Sequence, residues 1–263
     1  MNESQPKPFF RFGKIFLLVL LALVVYLSAL VVWVPAGWLW SQFSSNVQLP
    51  DQVQVRQVSG RIWEGAAGLD VAGYPLRVSW ILGVPSLTNL TLPVDISIAS
   101  SQSLLEGDVT IGWPASAELD ARGRVAVGEF EDLIRQSGGA MIEGDVTIDS
   151  LNVLWSDNRL QRADGIGRWP GGRVTWPMGN QTGQAQFPPM QADLDTTQGG
   201  IGLTVKEQDG NGPAAEANVL WNGMMEVRVY KRMVDLAGQP WSDSASPDDV
   251  IFRVRQPLIP GAR

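Results

Sequence analysis

The sequence predicts a mostly β protein carried on an N-terminal transmembrane helix. Three observations indicate this fold class. The first is a run without charged residues from Ile15 to Val34. The second is a series of segments in which apolar and polar residues alternate, the pattern of strands with one buried and one solvated face. The third is the frequency of turn residues, since 28 glycines and 17 prolines punctuate the 263-residue chain.

The N-terminal run is long enough to cross a bilayer. As a helix, residues 15–34 would span about 30 Å, the thickness of the hydrocarbon core. Lys7, Arg11 and Lys14 precede the run, and the next charged residue after it is Asp51. Cytoplasmic flanks are enriched in Lys and Arg, so we expect a cytoplasmic tail at residues 1–14 and everything after residue 34 across the membrane.

A cleaved signal peptide is the alternative interpretation of this run. The apolar region of a signal peptide has about 7–15 residues and ends at a cleavage site of small residues. The run at 15–34 is longer, and Val34-Pro35-Ala36-Gly37 is a poor cleavage site. We therefore favour an uncleaved anchor, followed by a membrane-proximal segment at residues 35–48 and a β domain at residues 49–263.

Alternating segments recur through the predicted β domain. Four of them predict strands: Thr91–Ile98, Asp108–Trp113, Ile201–Lys206 and Met225–Tyr230. A long antiparallel sheet with one apolar face must cover that face, by closing, by forming two layers or by rolling. We expect a repetitive sheet rolled into a half-pipe or a partly open barrel.

After the anchor region, the segment Glu129–Ser137 has the pattern of a helix. Phe130, Leu133 and Ile134 share one face at helical spacing, and acidic residues favour its first turn. We expect this short helix to cover one end of the sheet.

Two short sequences recur. Residues 106–111 and 143–148 are both Glu-Gly-Asp-Val-Thr-Ile, and residues 152–155 and 218–221 are both Asn-Val-Leu-Trp. These matches suggest a repeated hairpin unit.

The composition excludes several classes of function. The chain has no His and no Cys, which removes Ser-His-Asp triads, thiolate chemistry and the usual zinc sites. The net charge of −7 argues against a nucleic-acid partner. Asp193 and Asp195 would share a strand face and could bind a cation, but a solvated acidic face is the favoured interpretation. We expect no cofactor, no metal site and no enzyme activity.

The segment from Val58 to Ala67 resembles a motif of the type II secretion system protein N family, in which Ser-Gly-x-[LIV]-Trp-x-Gly-x-Ala follows an N-terminal anchor. The motif positions here are Gly60, Ile62, Trp63 and Gly65. The early Trp80 strand, the strand repeat and the short helix at Glu129 are also similar to the family. We expect Gly60 and Gly65 to bracket a short strand and to serve packing and turns.

The resemblance implies a single-pass protein of the inner membrane of Gram-negative bacteria, with a periplasmic β domain. Such a protein would be an accessory component of the machine that exports folded proteins across the outer membrane. Its partners would be other type II secretion system proteins, together with inner-membrane lipids around the anchor. The sequence is also similar to AsmA-like envelope proteins, so the alternative is a lipid-binding or lipid-transfer module with a lipid bound in an apolar β groove.

Overall fold

The structure is a computed structural model that describes residues 12–44, 53–71, 73–136, 139–157, 159–178, 181–242 and 244–257. Most of the predicted cytoplasmic tail, including Lys7 and Arg11, lies outside these ranges. The described chain begins with helix α1 (Phe12–Trp33), which includes most of the predicted membrane span. Judged on the described residues, no helix combines the length and hydropathy needed to cross a membrane. The span at residues 15–34 stays a prediction.

A second helix, α2 (Ala36–Phe43), follows Pro35 and lies beside the first strand. Pro35 is the N-cap residue, with the φ of −67° that its ring imposes, and its carbonyl oxygen accepts hydrogen bonds from the nitrogens of Trp38 and Leu39. Gly37 allows the close approach, since a Cβ at this position would lie 2.7 Å from the carbonyl oxygen of Val58. Part of the predicted membrane-proximal segment (35–48) is therefore helical.

The rest of the described chain is mostly β structure, as predicted. Turns separate the strands, and most neighbours in sequence are neighbours in the sheet. In chain order the strands are β1 (Val53–Gly60), β2 (Glu64–Val71), β3 (Tyr74–Leu82), β4 (Thr91–Ala99), β5 (Leu104–Gly112), β6 (Ser116–Ala126), β7 (Met141–Ile142), β8 (Asp145–Ser156), β9 (Arg159–Trp169), β10 (Gly172–Met178), β11 (Gln181–Phe187), β12 (Met190–Thr197), β13 (Gly200–Glu207), β14 (Pro213–Leu220), β15 (Met224–Tyr230) and β16 (Val250–Pro257).

Within the described ranges, 13 of these strands form one antiparallel sheet in the order β1-β2-β3-β4-β5-β6-β8-β9-β12-β13-β14-β15-β16. The sheet is open, because β1 and β16 are its two edges. This agrees with the predicted open architecture and excludes a closed barrel. The four alternating segments predicted as strands lie in β4, β5, β13 and β15, except that Trp113 falls in the turn after β5.

The small second sheet, in the order β11-β10-β7, covers one end of the large sheet. Val174 and Phe187 of the small sheet form a core cluster with Trp169, Met190 and Ala214 of the large sheet. Helix α4 (Lys231–Leu236) packs against the same cluster. We call this end of the strands the capped end. The opposite end, where the turns after β1, β3, β5, β8, β12 and β14 lie, is the α1 end, because α1 joins the sheet there.

The helix predicted at Glu129–Ser137 is present as a 3-10 turn, Val127–Phe130, that continues into α3 (Glu131–Gln136). It lies at the capped end, where Phe130 and Tyr74 have their ring centroids 5.5 Å apart. Helix α4 was not predicted, because it follows β15 directly without a glycine or proline to mark its start.

The two copies of the six-residue repeat occupy different structural positions. Gly107 lies within β5, whereas Gly144 precedes β8 and has a φ of +94°. The six-residue match therefore does not mark a repeated hairpin unit. The two copies of the four-residue match lie at similar positions, since Trp155 is the penultimate residue of β8 and Trp221 directly follows β14, both at the α1 end.

Candidate interaction surfaces

The family-like motif forms the hairpin between β1 and β2. The two glycines face each other across the strand pair, and Gly60 has a φ of +85°. Between them the chain makes a turn, closed by a hydrogen bond from the Arg61 nitrogen to the Glu64 oxygen at 2.7 Å. The expected short strand between the glycines is thus a turn, because positive φ at Gly60 reverses the chain there.

Trp80 of β3 packs on this hairpin. Its indole Nε1 donates a hydrogen bond of 2.8 Å to the main-chain oxygen of Ile62. A Cβ at position 65 would lie 2.5 Å from Cζ2 of the Trp80 ring, so glycine at this position leaves room for the indole. The carbonyl oxygen of Trp63 accepts a hydrogen bond of 2.7 Å from the Leu82 nitrogen. The structure therefore places Ile62 and Gly65 in contact with Trp80, Gly60 opposite Gly65, and Trp63 beside Leu82.

The same hairpin holds the end of α1. The residue pair Pro35 and Arg61 forms an isolated β-bridge. The Arg61 guanidinium carbon lies 4.4 Å from the centroid of the Trp33 ring, a cation–π contact. The motif thus links the sheet to the helix that precedes it.

Gly60 and Gly65 also begin a row of residues, the apolar row, that crosses the whole sheet. Each member pairs with the next across the described strands, and the pairs share one face. Every member is apolar. The row is Gly60, Gly65, Trp80, Ile96, Gly107, Ala121, Leu151, Gly165, Leu194, Leu203, Ala217, Val227 and Val254.

We call the face that carries this row the apolar face. In β4 to β6 it also carries Ile98, Val109 and Leu119, and these side chains are half-buried. At the capped end the small sheet and α4 cover the apolar face. Over β3 to β5 the substantial contacts of the described strands are with their neighbouring strands. Part of this surface is covered, because Tyr74 of β3 packs on Phe130 and Val94 of β4 is only 9% exposed. Ile96, Ile98 and Val109 are half-buried.

The opposite, polar face carries the charged side chains. Cross-strand ion pairs are numerous on its C-terminal part, because opposite charges on neighbouring strands of a sheet face attract each other. They include Arg162 with Glu118 at 3.5 Å, Arg168 with Asp149 at 3.3 Å, Lys206 with Asp193 at 2.7 Å and Arg253 with Glu226 at 3.5 Å.

A groove of about 1110 Å³ lies on the polar face over β1 to β6 and β8. Asp95, Asp108, Asp120 and Asn152 cross its floor as consecutive cross-strand partners. A hydrogen bond between Asp95 and Asp108 raises the pKa of Asp95, with desolvation and repulsion by Asp108 acting in the same direction. The alternative, lipid-binding interpretation calls for an apolar groove, whereas this groove is lined largely by polar side chains.

The candidate cation pair does not form a site. Asp193 and Asp195 share the polar face, but the carboxylate of Asp193 accepts hydrogen bonds from Lys206 at 2.7 Å and Gln191 at 2.6 Å. Partial burial raises the pKa of Asp193, but these hydrogen bonds outweigh it and the pKa is lowered. In the part of the chain that the structure describes, no group of three acidic residues could hold a metal ion.

The structure adds a carboxylate cluster that sequence reasoning missed. Glu129, just before α3, accepts hydrogen bonds from three serines and one backbone N–H of the turn between β4 and β5. The donors are Ser100, Ser101 at 2.5 Å, Ser103 at 2.6 Å and the Gln102 nitrogen at 2.7 Å. Desolvation raises the pKa of Glu129, but the four hydrogen bonds outweigh it and lower the pKa to about 2. The serine-rich run Ser100-Ser101-Gln102-Ser103 was the sequence feature from which this cluster could have been predicted.

Strand β16 is a second feature that sequence reasoning missed. It pairs with β15 on one side and forms the C-terminal edge of the large sheet. Phe252 and Val254 lie on the apolar face, and Arg253 and Arg255 on the polar face. An edge of this kind presents unpaired backbone N–H and C=O groups, which are a template for another strand.

The sequence was also compared with known proteins. The family model for type II secretion system protein N matches residues 51–242, which run from just before β1 to beyond α4. No curated protein and no solved structure matches the chain. The family match covers well over half of the 263 residues and includes the hairpin motif and twelve of the thirteen described strands of the large sheet. The chain therefore belongs to the type II secretion system protein N family.

Proposed function

We propose that this chain is an accessory inner-membrane component of the type II secretion system. The observation that carries the proposal is the family match over residues 51–242. In the proposal, residues 1–14 are cytoplasmic, residues 15–34 cross the inner membrane, and residues 49–263 form a periplasmic β domain. The domain makes protein–protein contacts during export of folded proteins across the outer membrane, and no catalytic step is assigned to it.

The sequence around α1 supports the anchoring part of the proposal. Lys7, Arg11 and Lys14 precede the apolar run, and no charged residue follows it before Asp51. This asymmetry favours a cytoplasmic N-terminus. Helix α1 and the hairpin motif are in contact through Trp33 and Arg61, so the sheet would start next to the membrane.

The edge strand β16 is the surface that we assign to a protein partner. It lies C-terminal to the residues that the family model matches. Alternate residues of this eight-residue strand point their backbone N–H and C=O groups away from β15 and can bond to an added strand. Phe252 is an exposed aromatic side chain on β16. Strand addition at an open sheet edge is a recurring mode of peptide recognition. The proposed occupant is an extended segment of another type II secretion system protein.

Site-specific photo-crosslinking in secreting cells tests the contact. A photoreactive residue replaces Phe252 on the edge strand or Thr110, an exposed position on the interior strand β5. We expect the photoreactive residue at position 252 to form an adduct with a secretion-system protein, and the one at position 110 to form none. Deletion of the gene should lower the export of folded substrates. Adducts without secretion proteins, together with normal export after deletion, would refute the proposal.

The half-buried part of the apolar face over β4 to β6 favours a second candidate, a lipid-binding module. Half-buried side chains such as Ile96, Val109 and Leu119 form a continuous apolar surface over β4 to β6. Apolar surface of this kind is stabilised when a hydrocarbon chain covers it. The family match does not require this activity.

Two neighbouring positions distinguish this candidate, because Val109 and Thr110 lie on opposite faces of β5. A photoreactive residue at position 109 should form an adduct with phospholipid, and the same residue at position 110 should not. Mass spectrometry of the purified chain reads the adduct mass. Equal labelling at both positions, or none at either, contradicts a lipid-binding apolar face.

A further inference from the structure

The turns at the α1 end of the sheet carry exposed apolar side chains. Val84 and Leu87 in the turn after β3 are 87% and 86% exposed, and Trp113 in the turn after β5 is 76% exposed. Leu90 is exposed in the same turn as Leu87. We call these four residues, Val84, Leu87, Leu90 and Trp113, the apolar rim. Large apolar side chains that are clustered and this exposed mark a surface with a partner.

A chain of contacts connects the apolar rim to the end of α1. The Trp33 ring lies under the Arg61 guanidinium. From the same hairpin, the Trp63 oxygen accepts a hydrogen bond from Leu82, where the turn after β3 begins. At the other end of that turn, the Leu90 oxygen accepts a hydrogen bond of 3.0 Å from the Trp113 nitrogen. The apolar rim therefore lies at the α1 end of the sheet, beside the C-terminal end of α1.

The charges of the two strand ends differ. Residues 83–90 and 113–115, which form the rim turns, contain no charged residue. The turns and short helices of the capped end carry more acidic than basic residues, since Glu129, Glu131, Asp132, Asp209, Asp235, Asp248 and Asp249 outnumber Arg135, Lys231 and Arg232. An anionic membrane surface repels the capped end and does not repel the rim.

We propose that the apolar rim inserts into the interfacial layer of the membrane in which α1 is anchored. The inference rests on the proposed anchoring of α1. Tryptophan favours the interfacial layer because its ring is apolar and its N–H is polar, and aliphatic side chains beside it enter the acyl boundary. The rim and α1 together hold the strands of the N-terminal half of the sheet with their α1 ends against the bilayer.

Spin labels measure this insertion in the full-length chain. Because the sequence has no Cys, each introduced cysteine is the only labelling site. The chain is reconstituted in vesicles of phosphatidylethanolamine and phosphatidylglycerol. Variants Leu87→Cys and Trp113→Cys place a label on the rim. Ser101→Cys and Asn211→Cys place matched labels in exposed turns of the capped end, and Leu20→Cys reports on α1 itself.

The readout is the collision rate of each label with oxygen, which concentrates in lipid, relative to a water-soluble nickel chelate. We expect the oxygen-to-nickel ratio at positions 87 and 113 to exceed that at positions 101 and 211 severalfold. Circular dichroism like that of the parent chain checks that each variant is folded.

The other outcomes overturn the inference in distinguishable ways. A lipid-exposed label at position 20 with water-exposed labels at positions 87 and 113 refutes rim insertion and leaves the anchor intact. A water-exposed label at position 20 refutes the anchor on which the inference rests. Labels at positions 87 and 113 that are shielded from both reagents indicate a protein contact and also refute insertion into lipid.

Discussion

The indole nitrogen of Trp80 donates a hydrogen bond to the main-chain oxygen of Ile62, and the two atoms are 2.8 Å apart. This bond fixes the ring of a β3 residue over the turn between β1 and β2. The ring occupies the space that a side chain at position 65 would need. Gly65 and Trp80 are thus requirements of one packing arrangement.

The first prediction concerns this arrangement. Gly65→Ala should lower the free energy of unfolding by about 2 kcal/mol, because the added methyl group would lie 2.5 Å from Trp80 and 2.9 Å from two carbonyl oxygens. Gly68→Ala in the same strand is the control, since its nearest neighbour would be 3.9 Å away. Urea unfolding measures both variants. Equal stabilities of the two variants would contradict the packing role of Gly65.

The second prediction concerns the core at the capped end. Trp169→Ala should cost about 4 kcal/mol of unfolding free energy, because the side chain is 7% exposed and packs between the two sheets. Its Nε1 also donates a hydrogen bond of 2.8 Å to the Glu143 oxygen. Trp221→Ala is the matched control, since Trp221 is 51% exposed and should cost about 1 kcal/mol or less. Thermal or denaturant unfolding that ranks the two in reverse would contradict this core.

The third prediction concerns the pH dependence of Glu129. Its pKa falls from 4.5 to about 2 on folding, so its contribution to stability is complete above pH 4.5 and is lost as the pH falls toward 2. Glu129→Gln should therefore cost about 1.5 kcal/mol at neutral pH and progressively less in acid.

Unfolding curves of Glu129→Gln and of the parent chain, at neutral pH and near pH 3, test whether the cost of the substitution decreases in acid. Glu131→Gln is the control, because that exposed carboxylate pairs with Arg135 within α3. A cost for Glu129→Gln that does not change with pH would show that the serine turn does not depend on the charge.

The fourth prediction concerns the ion pair between Asp193 and Lys206 on β12 and β13. A double-mutant cycle with Asp193→Asn and Lys206→Met should give a coupling energy of about 1 kcal/mol, since both side chains are partly buried and their atoms are 2.7 Å apart. The more exposed pair of Glu118 and Arg162, at 3.5 Å, is the comparison and should give a coupling near zero. A larger coupling energy for Glu118 and Arg162 than for Asp193 and Lys206 would contradict the prediction that the more buried pair is the stronger one.

Local sequence patterns predicted the strands with clear alternation. Thr91–Ile98 and Ile201–Lys206 lie within β4 and β13, because a period of two leaves little choice of structure when one face is apolar. The helix near Glu129 was also predicted from its acidic start and its apolar face. In each case the signal is contained in fewer than ten residues.

Long-range features were not predictable in the same way. The small sheet includes β7, which has two residues, and β10, which contains Pro177, so neither has a readable period. The bonds of Glu129 join residues 26 to 29 positions apart. The exposed edge at β16 and the exposed rim depend on the order of the strands, which alternation alone does not determine.

The apolar row has consequences for the order in which the strands unfold and for how the length of the sheet could change in evolution. Each strand of the row depends chiefly on the strand beside it, so stability is transmitted step by step, as in repeat proteins. Amide exchange should then be fastest in β1 and β16 and slowest in the interior. A lineage could lengthen or shorten such a sheet by whole hairpins. The width of the sheet would then change while the packing within the remaining strands stays the same.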